Sequence, residues 1–127
     1  MRVARSPKRR QALQALALLA TAAALPTARA QDSGAWIAVT HKVESFERWK
    51  PIFESTASMK RGFGWKQSWV FAIDGDRNNV LVLEEFGSME RTRAFASSPE
   101  LKAAMGKAGV LGPPEIRFLN TAARANA

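Results

Sequence analysis

The chain has 127 residues, with 19 basic side chains, 11 acidic ones, one histidine, no cysteine and a formal charge of +8. Six of the basic groups and no acid fall in residues 1–30, which leaves 13 basic against 11 acidic groups and a charge near +2, so the high overall pI does not indicate a nucleic-acid partner. The absence of cysteine rules out a disulfide framework, and a lone histidine argues against a structural zinc site.

Arg2, Arg5, Lys8, Arg9 and Arg10 form a basic leader, Ala12 to Leu25 is an Ala/Leu stretch, and Ala28-Arg29-Ala30 is a small-x-small cleavage signal. This predicts a secretory signal peptide over residues 1–30 and a periplasmic or secreted product with no stable membrane association after cleavage. Gln14 interrupts the apolar run, which is shorter than the roughly 20 residues a bilayer span requires. The Arg9-Arg10 pair points to the twin-arginine route. What remains is long enough for one domain with a modest core, to which dimerisation adds buried surface.

Gln31 to Gly34 is a polar lead-in to a first strand over Ala35 to Lys42. Its segment Trp36-Ile37-Ala38-Val39, like Val80-Leu81-Val82-Leu83 later in the chain, is apolar at every position, the pattern of a strand covered on both faces. Ser45 is placed to cap a helix carrying Phe46, Trp49, Phe53 and Ala57 at helical spacing with Ile52 alongside, and Pro51 predicts a loose first turn. After stop signals at Gly62 and Gly64, a second strand runs from Trp65 to Ile73. The turn formers Asp74 to Asn79 then lead into a third strand, Val80 to Phe86. A helical region begins near Ser88, and Ser98-Pro99 restarts it as a further helix bearing Leu101, Ala104, Met105 and Ala108. Gly106, Gly109 and Gly112-Pro113-Pro114 break that helix before a last strand, Glu115 to Asn120, and residues 121–127 form a loose tail.

This order is βαββαβ, the ferredoxin-like α+β plan: a four-stranded antiparallel sheet in the order 4-1-3-2 with helices on one face. The two doubly apolar strands are the central pair, and a partner sheet is the natural cover for the face without helices. Val39 to Val43, Trp49 to Phe53, Asn79 to Phe86 and Ser98 to Leu101 through Gly109-Val110 to Pro114 to Leu119 resemble the dimeric α/β-barrel superfamily, nearest its antibiotic-biosynthesis-monooxygenase-like group. The resemblance spans nearly all of residues 35–120. It implies two sheets packed face to face in a homodimer and a pocket between sheet and helices in each protomer. The superfamily includes cofactor-free oxygenases, haem-degrading enzymes, isomerases, stress proteins and members with no known reaction. Haem-degrading relatives use Asn, Trp and His; Trp69 can stand for the Trp here, but the second helix has no His and the first strand no Asn.

His41, at the end of a central strand, is a candidate base or iron ligand; the alternative is an imidazole hydrogen-bonded to a loop. Trp65, Trp69 and Phe71 form a stripe on one side of the second strand, suited to a flat or aromatic ligand or to packing against a helix or partner. Trp36 and Trp49 read as core. Glu84 and Glu85 point to opposite faces, so one should meet solvent and the other an interior, where it is either an acid/base group or an ion-pair partner of Arg91, Arg93 or Arg117. Lys60, Arg61 and Lys66 can draw an anionic ligand to a pocket mouth or form a solvated face. Asp74, Asp76, Asn78 and Glu85 mimic the spacing of a calcium loop, but Asn79 replaces its glycine and the flanks are strands.

The expected function is a homodimer holding a small apolar or aromatic molecule as a cofactor-free monooxygenase-like enzyme. Trp65, Trp69, Phe71 and Arg61 would bind substrate, and His41 or Glu85 would handle a proton. The alternatives are a non-enzymatic binding or stress-related module, and haem binding. An enzyme requires His41 or Glu85 to open into a cavity beside the Trp stripe.

Overall fold

A computed structural model describes residues 33–127. The leader and the start of the polar lead-in lie outside the described residues. The chain runs β1 (Ala35–Val43), α1 (Phe46–Ser55), α2 (Ala57–Gly62), β2 (Trp65–Ile73), β3 (Asp76–Phe86), α3 (Met89–Ala96), α4 (Pro99–Lys107) and β4 (Val110–Asn120). The strands form one antiparallel sheet in the order β2-β3-β1-β4, the ferredoxin-like arrangement.

Caps written in the sequence set the helix starts: the hydroxyls of Ser45, Ser88 and Ser98 accept from the amides of Arg48, Arg91 and Leu101. Pro51 does not loosen the first turn. It lies in the exposed interior of α1, which continues to Ser55, and the helical path breaks at Thr56 instead. One missing backbone donor on a solvated side is tolerated when the opposite side is held by Trp49, which is buried. Gly112-Pro113-Pro114 also fails to delay β4, which begins at Val110. β4 is an edge strand, where proline withholds no ladder hydrogen bond, and the irregularity appears as a register shift between Thr40 and Lys42 of β1.

The helices cover one face of the sheet. There Ile37, Val39 and Val43 of β1, Val80, Val82 and Phe86 of β3, Trp49 of α1, Phe95 of α3 and Ala108 form the buried core. Phe86 and Phe95 meet with ring centroids 4.7 Å apart. The other face of the central strands carries Trp36, Ala38, Leu81 and Leu83, all half-buried, so both faces of β1 and β3 are apolar as the sequence requires. None of the described elements lies over that face. Trp69 and Phe71 on β2 are 55% and 46% exposed, and Ile73, Leu111 and Leu119 are exposed as well. Residues 121–127 contain no helix or strand, although the Thr121 amide bonds to the Gly34 carbonyl at 2.9 Å. No helix among the described residues is long and apolar enough to cross a membrane.

Candidate functional site

Between the sheet and the helices lies a cavity of about 50 Å³, partly open to solvent. Val39, His41, Val82 and Glu84 form its floor, α1 contributes Trp49 and Phe53, and Leu101 and Met105 of α4 face them. The register explains the floor: on the helix-covered face His41 stands opposite Val80, Val39 opposite Val82 and Ile37 opposite Glu84. The only histidine of the chain therefore marks one end of an apolar trough, and Glu84 lies four residues further along.

His41 is 7% exposed, and neither of its ring nitrogens has a hydrogen-bond partner among the described residues. Buried polar groups are nearly always paired, so an unpaired imidazole in the wall of a cavity calls for a ligand or water. Its ring lies 5.8 Å from that of Trp49, which in turn stacks on Phe53 at 4.8 Å. Burial lowers its pKa from the ordinary 6.5, which keeps the imidazole neutral and able to accept a proton near pH 7. Well above pH 6.5 His41 is neutral folded or unfolded. As pH falls below 6.5 the unfolded chain takes up a proton that the folded chain resists, so stability is lost until the lowered folded pKa is passed. Urea denaturation at pH 7.5 and 5.5 is expected to show a larger acid-side loss in the wild type than in His41→Leu. Equal losses would mean that the imidazole is not held neutral.

At the other end of the cavity Lys60 of α2, 2% exposed, pairs with Glu84 of β3 at 2.8 Å. Glu84 Oε2 also accepts from the Ser68 hydroxyl at 2.6 Å, and Ser68 receives the Trp65 indole N–H at 2.7 Å. The ammonium lies 3.8 Å from the centre of the Phe53 ring and 4.8 Å from that of Trp65, close enough for cation–π attraction. The ion pair and two aromatic faces hold a cation that the core could not otherwise keep, and the Ser68 hydroxyl gives the carboxylate a second donor.

The expected site residues are divided by the sheet. His41 reaches the cavity. Glu85 does not: it lies on the opposite face, is 1% exposed, and accepts from the Ser33 and Gly34 amides at 2.8 and 3.3 Å and from Gln67 at 3.0 Å. The Ser33 hydroxyl lies 3.2 Å from it as well. Burial pushes its carboxyl up, but the hydrogen bonds from Gln67, the Ser33 and Gly34 amides and the Ser33 hydroxyl outweigh that and hold its pKa below the ordinary value. Glu84 and Glu85 do point to opposite faces, but neither meets solvent, and their partners are Lys60 and the lead-in rather than Arg91, Arg93 or Arg117.

Trp65 and the Trp69/Phe71 pair also separate. A bulge between Trp65 and Gln67 places Trp65 opposite Phe86 on the helix-covered face, while Trp69 and Phe71 pair with Leu83 and Leu81 on the open one. There the rings of Trp69 and Phe71 lie parallel, 6.3 Å apart, beside a surface groove of about 490 Å³ that also takes in Trp36, Leu83 and Leu119. Arg61 is exposed on α2. Among the described residues no group of three or more His, Cys, Asp or Glu side chains is placed to hold a metal ion.

No family model matches the chain, and no curated protein matches it. Solved structures do. SnoaB, a cofactor-independent oxygenase from Streptomyces nogalater, is 13% identical over 72% of this chain and 94% of its own, with a TM-score of 0.58. The chain has the ferredoxin-like fold of the antibiotic biosynthesis monooxygenases. A monooxygenase from the gene ActVA-Orf6 of Streptomyces coelicolor, in complex with the ligand Nanaomycin D, matches at 18% identity over 75% of this chain and 93% of its own, with a TM-score of 0.56. A dimeric ferredoxin-like protein from an uncultured marine organism matches at 10% identity over 77% and 96%, with a TM-score of 0.53. At these identities the likeness is one of fold.

Within this fold the residues that sequence reasoning underrated are Lys60, Glu84 and Ser68. A signal for Lys60 exists in the sequence: Trp49, Phe53, Thr56 and Lys60 fall at helical spacing, which puts the lysine on the apolar stripe and not on the solvated side.

Proposed function

We propose that the chain is an exported homodimer that binds a small aromatic molecule bearing a ring hydroxyl in the His41 cavity and acts on it as a cofactor-free monooxygenase-like enzyme. The observation that carries this reading is the neutral imidazole of His41, unpartnered among the described residues, in the wall of an apolar cavity. A ring hydroxyl donates to that imidazole and, on transfer of its proton, leaves an electron-rich phenolate beside Trp49. Such an anion supplies its own electrons to dioxygen: one oxygen atom enters the ring and the other leaves as water. The fold shared with SnoaB, a cofactor-independent oxygenase, supports this chemistry. The leader pattern of residues 1–30 supports export, and the exposed Trp69, Phe71, Ile73, Leu111 and Leu119 on the open sheet face support a second copy packed against it.

Resorcinol tests the reading, because its conversion by one dioxygen to 2-hydroxy-1,4-benzoquinone and one water balances without any cofactor. The mature protein is expected to bind resorcinol, read by quenching of tryptophan fluorescence, and to consume oxygen in step with quinone appearance. His41→Leu is expected to abolish that uptake. Binding without uptake would assign the chain to the non-enzymatic binding modules, and absence of binding would remove the site.

A further inference from the structure

The cavity has a second polar end that the reading above does not use. Lys60, Glu84 and Ser68 sit there, and every hydrogen bond to Glu84 from these side chains goes to Oε2. Oε1 accepts none among the described residues, and Glu84 and Lys60 both line the cavity. Lys60 gives one N–H to Glu84, its ammonium lies against the rings of Phe53 and Trp65, and the residue lines the cavity. This end thus offers a donor and an acceptor with no net charge.

Two physical constraints follow. Because the pair carries no net charge, neither a carboxylate nor an ammonium placed there finds a net counter-charge to offset the hydration it loses. A neutral group that accepts from Lys60 avoids that penalty. Four residues of strand, about 13 Å at the rise of a β-strand, separate the level of His41 from that of Glu84, and the floor between them is Val39 and Val82. The enclosed part of the cavity is only about 50 Å³, so even a single ring would extend through its open side, and several fused rings would exceed it further.

Resting on the reading of the His41 cavity as a ligand site, we infer that the Lys60–Glu84 pair is a specificity-determining subsite. Its ligand is an uncharged single-ring compound with a hydroxyl at one end, taken by His41, and a carbonyl oxygen at the other, taken by the Lys60 ammonium. The pair positions the ring so that its hydroxyl reaches the imidazole, and it rejects ring carboxylates.

Four probes on the mature protein separate the possibilities: 4-hydroxybenzaldehyde, phenol, benzaldehyde and 4-hydroxybenzoate, each titrated by isothermal calorimetry. One charge-assisted hydrogen bond predicts that 4-hydroxybenzaldehyde binds about tenfold more tightly than phenol. The carboxylate of 4-hydroxybenzoate should remove that gain. In the double variant Lys60→Met/Glu84→Gln, which keeps the pair's bulk without its charges, 4-hydroxybenzaldehyde and phenol are expected to bind equally. Phenol binding with no gain from the carbonyl, or a gain that survives in the double variant, overturns the subsite and leaves the His41 reading standing. Failure of all four probes to bind overturns both.

Discussion

Lys60→Met is expected to lower folding stability by about 3–5 kcal/mol, the usual cost of stripping one partner from a buried ion pair. Lys60 and Glu84 are 2% and 3% exposed, and Met matches the lysine stem in length, so the packing lost is small and the loss is electrostatic. What remains is a carboxylate enclosed by the core with the Ser68 hydroxyl as its one side-chain donor among the described residues. Urea denaturation should show a lower midpoint with an unchanged slope, as befits a loss of stability without a change in the surface exposed. Adding Glu84→Gln removes the stranded charge and should recover most of the loss, so the two substitutions are strongly non-additive. A single-variant loss below about 1 kcal/mol, the range of exposed ion pairs, would show that the pair is solvated and that the cavity end is not the low-dielectric environment described.

The second large effect lies on the other side of the sheet. Phe71→Lys is expected to convert the proposed dimer to a monomer. Phe71 and Trp69 lie parallel on β2, largely exposed in the single chain, next to a groove whose walls include Trp36, Leu83 and Leu119. A buried aromatic anchor is worth about 2 kcal/mol or more, and a two-fold interface contains each anchor twice, so the dimer Kd should rise by roughly 1,000-fold. Sedimentation velocity of the mature wild type should show a dimer at micromolar concentration and the variant a monomer of unchanged fold. A wild-type monomer, or a variant that still dimerises, would mean that this face is not the interface.

The architecture was legible in the sequence because its signals are local and mutually consistent. Runs apolar at every position marked β1 and β3 as central, and Ser45, Ser88 and Ser98 marked three helix starts. The site was legible only in part. His41 stood out because it is the single histidine at the end of a central strand, and the structure places it in the cavity wall. The alternation of Glu84 and Glu85 was readable, but which of them faces the helices depends on how β3 pairs with β1, and the partner of each came from a distant part of the chain. The aromatic stripe misled for a similar reason. Strict alternation puts Trp65, Trp69 and Phe71 on one face, and a single bulge after Trp65 moves it to the other. Lys60 was hidden by its charge, which outweighed the helical spacing that placed it among Trp49, Phe53 and Thr56.

These placements give the two faces of one sheet different tasks. The helix-covered face holds an imidazole and an ion pair at the two ends of an apolar trough, and the open face offers the apolar surface on which the proposed dimer rests. His41 is the point on which the proposed chemistry turns, and the chain has no other histidine to confuse its signal. Nitrogen NMR of the ¹⁵N-histidine-labelled mature protein, followed through a resorcinol titration at pH 7, tests it directly. A neutral ring whose acceptor nitrogen shifts as the ligand binds is the predicted result; a ring already protonated, or one whose nitrogens do not move at saturating resorcinol, would contradict it.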